Sequence, residues 1–244
     1  MPSTPLNRTA HLRKPAPPAA PVHVIWDWNG TLFDDAQACV NTLNILLRER
    51  GLAGIGMEDY RERFGFPVRD FYRTLGFDLP AEDWETLARR FHTLYLADGT
   101  AVVPPAARAA LAWMKKAQIR QSVLSACEQT ILTRLLLQHR LSGTFDHVQG
   151  TDNLDGRSKI EVGRRLVAVL GLPTDRLLLI GDTLHDAEVA EALGCRCLLI
   201  ADGHQTRHRL TRSGCPVLDS LRTLPDWWKT QGGGSCDHRR FATY

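Results

Sequence analysis

The sequence predicts an α/β fold with a parallel sheet, because strand-like and helix-like segments alternate along most of the chain. The strand-like runs are apolar and do not alternate with polar residues, which is typical of strands buried on both faces. Helical periodicity lies between them, in residues 131–139, 160–170 and 187–193. The predicted strands are residues 22–27, 120–125, 146–150, 177–182, 196–200 and 216–218.

The stretch between the first two predicted strands is too long for a single crossover helix. Residues 36–99 carry only helical patterns, which predict an inserted helical subdomain, and a return helix is predicted over 106–117. The core is then assigned to residues 22–35 and 100–228. Residues 1–21 are rich in Pro and Ala without an acidic residue and are expected to be disordered. The Gly-rich residues 229–244 are expected to form a flexible tail.

The composition excludes several classes of protein. The 244 residues are 43% hydrophobic and 23% charged, as in ordinary globular proteins, and no apolar run approaches the roughly 18 residues of a membrane span. The net charge of +3 is small and the basic residues are dispersed, so nucleic-acid binding is not expected. Six scattered cysteines without a paired pattern predict free thiols and a cytoplasmic protein. Monomer and homodimer both remain open.

Polar side chains stand at or near the ends of the predicted strands. In a doubly wound sheet such strand ends converge in one crevice, where the chemistry of open α/β folds is found. The first, second and fourth predicted strands each end in or near a polar side chain, and a lysine precedes the helix predicted over 160–170. These residues are Asp27, Ser125, Lys159, Asp182 and Asp186.

Together these groups suit phosphoryl transfer. Asp27, Asp182 and Asp186 would repel one another unless a hard cation such as Mg²⁺ lay among them. Lys159 offers a point charge suited to phosphate, and Ser125 offers a hydroxyl beside backbone N–H groups such as that of Ala126. The Asp27 carboxylate could then attack phosphorus in line and form an aspartyl-phosphate.

The order of these motifs over residues 22–224 resembles the haloacid dehalogenase (HAD) superfamily, in its phosphoglycolate phosphatase-like branch. Residues 27–31 resemble the first motif, Ser125 the second, Lys159 the third, and Asp182 with Asp186 the fourth. The resemblance implies a Rossmann-like parallel sheet with an inserted helical cap, of the type called C1, over residues 36–99.

The resemblance also implies a role for each site residue. Asp27 would be the nucleophile, Ser125 and Lys159 would bind the phosphoryl group, and Thr31 would support the turn. The implied reaction is Mg²⁺-dependent hydrolysis of a small phosphomonoester, with 2-phosphoglycolate, which yields glycolate, the favoured substrate. The implied Mg²⁺ ligands are Asp27, the backbone carbonyl of Asn29, Asp182, and Asp186 directly or through water.

Asn29 departs from the family pattern. Family phosphatases carry an aspartate there, which protonates the leaving alkoxide and then activates water, whereas asparagine cannot transfer a proton at neutral pH. Such assistance is worth about 10²–10⁴-fold in rate. The departure leaves open other HAD chemistry, namely a dehalogenase, a C–P hydrolase or a mutase, and also a weakly catalytic phosphate-binding regulatory protein. His185 is a candidate replacement, although an exposed or capping histidine is favoured.

Two further segments carry weaker signals. Arg69 or Arg73, after the loop at residues 65–68, could reach a substrate carboxylate, but solvent-facing helix arginines are the favoured interpretation of both. Residues 202–205 follow the fifth predicted strand at the functional edge, where a plain βα turn is favoured over a part in the site.

Overall fold

A computed structural model describes residues 20–79, 81–154 and 159–230, and it confirms the predicted α/β fold. The six parallel strands lie in the order β3-β2-β1-β4-β5-β6, so that β1 is central, with Trp26 paired to Val123 on one side and to Ile180 on the other. The strands are β1 (His23–Trp26), β2 (Arg120–Glu128), β3 (His147–Thr151), β4 (Leu177–Gly181), β5 (Arg196–Ile200) and β6 (Val217–Leu218).

Strand β2 is longer than the predicted residues 120–125. It continues to Glu128 because Glu128 pairs with Thr151 of β3 after a register shift that begins at Leu124. Ser125 therefore lies inside an irregular extension of the strand and does not end it.

Four helices separate β1 from the return helix α5 (Pro105–Lys116). They are α1 (Ala36–Glu49), α2 (Met57–Arg63), α3 (Val68–Thr74) and α4 (Ala81–Asp98), and we call them the cap. Val40, Leu43 and Leu47 of α1 recur at helical spacing, which gives the helix one apolar face. That face packs into a separate hydrophobic cluster with the cap aromatics Tyr60 and Phe71.

Helices cover both faces of the sheet. Val24 and Trp26 belong to one hydrophobic cluster and the intervening Ile25 to another, because successive side chains of a strand point to opposite faces. The remaining α-helices are α6 (Gln129–Gln138), α7 (Ile160–Leu170), α8 (Leu184–Leu193), α9 (Arg207–Leu210) and α10 (Leu224–Thr230), and short 3₁₀ turns lie at Thr174–Arg176, Thr211–Ser213 and Leu221–Thr223.

The described residues contain no helix that is both long enough and apolar enough to span a membrane. The predicted disordered segment 1–21 and flexible tail 229–244 lie almost wholly outside the described residues.

Candidate active site

The carboxyl edge of the sheet holds the polar residues that the sequence pattern singled out. Asp27 and Asp182 directly follow β1 and β4, Ser125 lies in the irregular extension of β2, and Lys159 and Asp186 come from the starts of α7 and α8. All five line one cavity of about 160 Å³ that lies between the sheet edge and the cap. The topology therefore brings these five residues together, as expected for strand ends of a parallel sheet.

Asp27 lies at the centre of the cluster and is buried. Its backbone N–H donates to the carbonyl of Ile180 at 2.8 Å, which fixes the residue against β4. Its carboxylate accepts a hydrogen bond from the Lys159 ammonium. Burial, and then the neighbouring Asp186 and Asp182 carboxylates, raise the pKa of Asp27 well above its usual value, although Lys159 opposes the rise.

Lys159 is a buried ammonium group at the start of α7. Its Nζ atom pairs with Asp27, lies 2.7 Å from Asp186 Oδ1, and donates to the carbonyl of Leu124 at 3.2 Å. Burial alone would lower the pKa of Lys159, but the Asp186 and Asp27 carboxylates reverse that effect and raise it. The side chain therefore stays charged at neutral pH.

The two carboxylates after β4 are held by hydrogen bonds. Asp182 Oδ1 accepts from Thr31 Oγ1 at 3.0 Å, and Asp182 Oδ2 accepts from the backbone N–H of His204 at 2.6 Å. Asp186 Oδ2 accepts from the N–H and hydroxyl of Thr183 in the capping box that begins α8. Burial raises the pKa of Asp182 to about 6. Burial would also raise the pKa of Asp186, but Lys159 holds it below its usual value.

This cluster fits a magnesium ion. Asp27, Asp182 and Asp186 each offer an oxygen, and these atoms lie within 4.8 Å of one another. Three carboxylates against one ammonium leave a surplus of two negative charges when all are ionised. Buried carboxylate oxygens are the ligands that a hard divalent cation prefers.

Gly30 is required by the packing around Asp182. Its φ of +74° lies in the left-handed region, and a Cβ atom there would overlap the Asp182 carboxylate and the His204 ring. The glycine after the Asp27 turn therefore allows the first motif to approach the fourth.

The side chain of Asn29 donates a hydrogen bond to the buried carboxylate of Asp35. Asn29 Nδ2 donates to Asp35 Oδ2 at 2.7 Å and to the Tyr95 hydroxyl at 3.1 Å, and that hydroxyl donates to the same Asp35 oxygen at 2.7 Å. An aspartate in place of Asn29 would set two carboxylates against each other. An amide at position 29 is therefore the suitable partner for the Asp35 carboxylate. Asp35 was not predicted as a site residue, and its closeness in sequence to residues 27–31 was the one available signal.

His204 corrects the interpretation of residues 202–205 as a plain βα turn. It is buried, lines the cavity, and has its Nε2 atom 3.2 Å from Asp35 Oδ1 and its Nδ1 atom 2.8 Å from the Tyr60 hydroxyl. Burial alone would lower the pKa of His204, but Asp35 reverses this and raises it to about 9. Its position in the loop after β5, at the functional edge, was the one available sequence signal.

Ser125 and Ala126 lie on the cavity wall where the sequence placed them. Ser125 is buried, and its hydroxyl oxygen accepts from the N–H of Cys127 at 3.0 Å. The hydroxyl proton therefore remains available to an oxygen in the cavity.

Arg69 and Arg73 are not brought to the site. Arg69 is not among the cavity-lining residues, and its Nη2 atom donates to the carbonyl of Leu79 at 2.9 Å. Arg73 pairs with Asp70 on the exposed side of α3. Arg73 is exposed, as the favoured interpretation has it, whereas Arg69 is half-buried and bound within the cap.

His185 is buried, whereas the sequence favoured an exposed or capping histidine. Its ring is buried, stacks on Phe66 of the cap with ring centroids 4.5 Å apart, and has Nδ1 3.1 Å from Glu188 Oε2. Coverage by the cap, which cannot be read from α8 alone, explains the difference.

Known proteins are similar to this chain over most of its length. Residues 24–200 match the model of the haloacid dehalogenase-like hydrolase family. A phosphoglycolate phosphatase of Caulobacter vibrioides is 29% identical over 83% of this chain and 88% of its own length. The tyrosine-protein kinase PtkA of Mycobacterium tuberculosis is 26% identical over 88% of this chain and 74% of its own.

A solved structure shows the same fold. A predicted phosphatase from Clostridium acetobutylicum superposes with a TM-score of 0.74 at 20% identity, covering 87% of this chain and 98% of that one. With the family model spanning most of the chain, from β1 to the end of β5, the protein belongs to the haloacid dehalogenase-like hydrolase family.

Proposed function

We propose that the protein is a Mg²⁺-dependent phosphatase that hydrolyses a small phosphomonoester through an aspartyl-phosphate on Asp27. The observation that carries this proposal is the buried Asp27 carboxylate, held by Lys159 beside two further carboxylates that could share a cation. Relatives named phosphoglycolate phosphatase make 2-phosphoglycolate the first substrate to test. A relative of similar identity is named a tyrosine-protein kinase, so relatives alone do not fix the substrate.

In the proposed reaction an Asp27 carboxylate oxygen forms a bond to phosphorus while the bond from phosphorus to the leaving alcohol oxygen breaks. Lys159 would offset the charge of the phosphoryl group, and the hydroxyl of Ser125 and the N–H of Ala126 would bind its oxygens. Asp27, Asp182, Asp186 and the backbone carbonyl of Asn29 would hold Mg²⁺. When bound, the ion neutralises carboxylate and phosphoryl charge.

Asn29 limits both halves of the reaction. Its amide donates to Asp35 and carries no transferable proton at neutral pH. The leaving oxygen must therefore take its proton from water, and water must then attack the aspartyl-phosphate without the usual base. Slow release of the phosphoryl group is therefore part of the proposal. The same observation supports the second candidate function, a phosphate-binding protein with weak turnover.

The test is phosphate release from 2-phosphoglycolate and phenyl phosphate, with and without Mg²⁺. We expect Mg²⁺-dependent release that Asp27→Asn lowers by about 10⁴-fold or more, because the nucleophile is lost. Asp34→Asn is the matched control, since Asp34 is an exposed aspartate on the same loop.

A second readout separates the two candidate functions. Mixing the protein with phenyl phosphate should give a burst of phenol equal to one per chain, and a covalent phosphoryl adduct visible by mass spectrometry that is absent in Asp27→Asn. Binding of phosphate with neither burst nor turnover would support the regulatory alternative and contradict the phosphatase.

A further inference from the structure

One wall of the cavity is the carboxyl edge of the sheet with Asp27, Lys159, Asp182 and Asp186, which we call the catalytic edge. The cap forms a second wall, which is much less polar. Aromatic and aliphatic side chains dominate it, and several of them also belong to the hydrophobic cluster of the cap. The side chains of this cap wall that matter most here are Leu43, Phe64, Phe66, Val68, Phe71 and Trp84.

The cap wall offers no cation to a bound molecule among the described residues. The cavity-lining residues include no arginine, and the lysine among them, Lys159, belongs to the catalytic edge and pairs with two carboxylates. Two histidines of the core also line the cavity. The charged His204 pairs with Asp35 and the Tyr60 hydroxyl, and His185 stacks on Phe66 with its Nδ1 atom 3.1 Å from Glu188 Oε2. His92 of α4 is the basic cap residue in the lining, and burial lowers its pKa, so the ring is neutral at pH 7. Arg69, a candidate partner for a carboxylate, donates to the carbonyl of Leu79 instead.

This wall disfavours a charged leaving group. A substrate whose phosphate lies against Asp27 and Lys159 must direct its alcohol portion away from the sheet edge, toward the cap. A carboxylate there would lose water without gaining a paired charge, which is costly, whereas an apolar group would gain from leaving water.

We propose, on the basis of the proposed phosphatase function, that the substrate is a phosphomonoester of a small, uncharged, apolar alcohol, selected by the cap wall. The cavity of about 160 Å³ is lined by both walls and must hold the phosphoryl group as well as the alcohol. An apolar cavity of about 150 Å³ in another protein is large enough for benzene, so one ring is the upper limit for the alcohol portion.

The test compares kcat/KM for benzyl phosphate, ethyl phosphate and 2-phosphoglycolate with the full-length protein and Mg²⁺. Benzyl alcohol and ethanol have similar acidities. The ratio of kcat/KM for benzyl phosphate to that for ethyl phosphate, which we call the benzyl-to-ethyl ratio, therefore reports binding of the ring rather than intrinsic reactivity. We expect kcat/KM for benzyl phosphate to exceed that for ethyl phosphate by about 10- to 100-fold, because one ring is buried. We also expect it to exceed kcat/KM for 2-phosphoglycolate.

Two outcomes overturn the inference and can be told apart from failure of the proposed function. A preference for 2-phosphoglycolate, or equal rates with benzyl and ethyl phosphate, overturns the inference while the phosphatase stands. Phosphate release from none of the three overturns the phosphatase and the inference together.

A charge placed in the cap wall should reverse the preference. Val68 is half-buried at the start of α3 and lines the cavity, so Val68→Arg should lower kcat/KM for benzyl phosphate by about 10-fold and raise that for 2-phosphoglycolate by a similar factor. Val169→Arg on α7 is the matched control, because Val169 is 66% exposed and lies outside the cavity. The same response in both variants would contradict the inference, and if Val68→Arg does not fold, the three-substrate comparison still decides.

Discussion

The two walls of the cavity differ in almost every physical property. The catalytic edge of the sheet is charged, with Asp27, Asp182, Asp186 and Lys159 buried together, whereas the cap wall is largely aromatic and aliphatic. Each wall is supported by its own hydrophobic cluster, mainly under the sheet on one side and within the cap on the other. In the proposed function, this difference assigns reaction chemistry to the sheet edge and substrate selection to the cap.

A line of polar contacts joins the walls. The Tyr95 hydroxyl of α4 donates to Asp35, and the Tyr60 hydroxyl of α2 is hydrogen-bonded to His204. Arg209 of the core donates to the carbonyl of Phe64 in the cap at 2.6 Å. Changes along this line test how far the walls act independently.

The largest effect is expected from exchanging the amide and the carboxylate at the catalytic edge. Asn29→Asp alone should raise kcat for phosphate release only slightly. Its carboxylate would replace the amide that now lies 2.7 Å from Asp35 Oδ2, and the two negative charges would repel each other. Combined with Asp35→Asn, it should raise kcat for phosphate release by about 10²-fold or more, as a general acid and base is restored. If the walls act separately, the ratio of kcat/KM for benzyl phosphate to that for ethyl phosphate should not change.

Asp35→Asn alone is the control for this exchange, since it adds no group that transfers a proton. The interpretation fails if Asn29→Asp alone is as fast as the double variant, or if the double variant is no faster than the unaltered protein. A change in the benzyl-to-ethyl ratio would show instead that the two walls are coupled.

An intermediate effect is expected from pH, through His204 at the junction of the walls. Because the pKa of His204 is raised to about 9 in the folded protein, the ion pair with Asp35 adds stability that is fully present below about pH 6.5. That stability is lost as the pH rises through about 9, and its size is on the order of 3 kcal/mol. Urea unfolding of metal-free protein and of His204→Gln, at several pH values between 6 and about 9.5, measures it.

His208→Gln is the matched control, because His208 is exposed in the neighbouring helix α9. The difference in unfolding free energy between the unaltered protein and His204→Gln should shrink as the pH rises, and that for His208→Gln should not. A difference for His204→Gln that is independent of pH would contradict a charged His204.

The smallest effect is expected from weakening the attachment of the cap. Arg209→Ala removes hydrogen bonds to the carbonyls of Arg61 and Phe64 and should lower the free energy of unfolding by about 1–2 kcal/mol. It should also speed protease cleavage between α2 and α3, without changing the benzyl-to-ethyl ratio. The control is Arg212→Ala, at an exposed arginine close in sequence, and equal cleavage of both variants would argue against this attachment.

Much of the catalytic edge could be predicted from the sequence because each residue stands beside a recognisable strand or helix. Asp27 and Asp182 follow continuous apolar runs, which are typical of parallel strands buried on both faces. The ends of such strands meet at one edge by topology alone. Local pattern was therefore sufficient to place them.

The residues that join the walls could not be predicted in this way. Asp35, Tyr95 and His204 come from the loop after β1, from α4 and from the loop after β5, and only tertiary packing brings them together. The continuation of β2 past Ser125 depends on pairing with Thr151, and the orientation of Arg69 depends on Leu79. None of these contacts leaves a spacing that a linear pattern can reveal.

The enclosure of Asp182 has a consequence for sequence variation. Gly30 and Gly203 come from loops far apart in the chain, and a Cβ atom at either position would overlap the same carboxylate. Neither residue carries a functional group, yet in a library of random variants positions 30 and 203 should be among the least permissive. A second mutation elsewhere could not easily restore the lost space, because the obstruction is the Asp182 carboxylate itself.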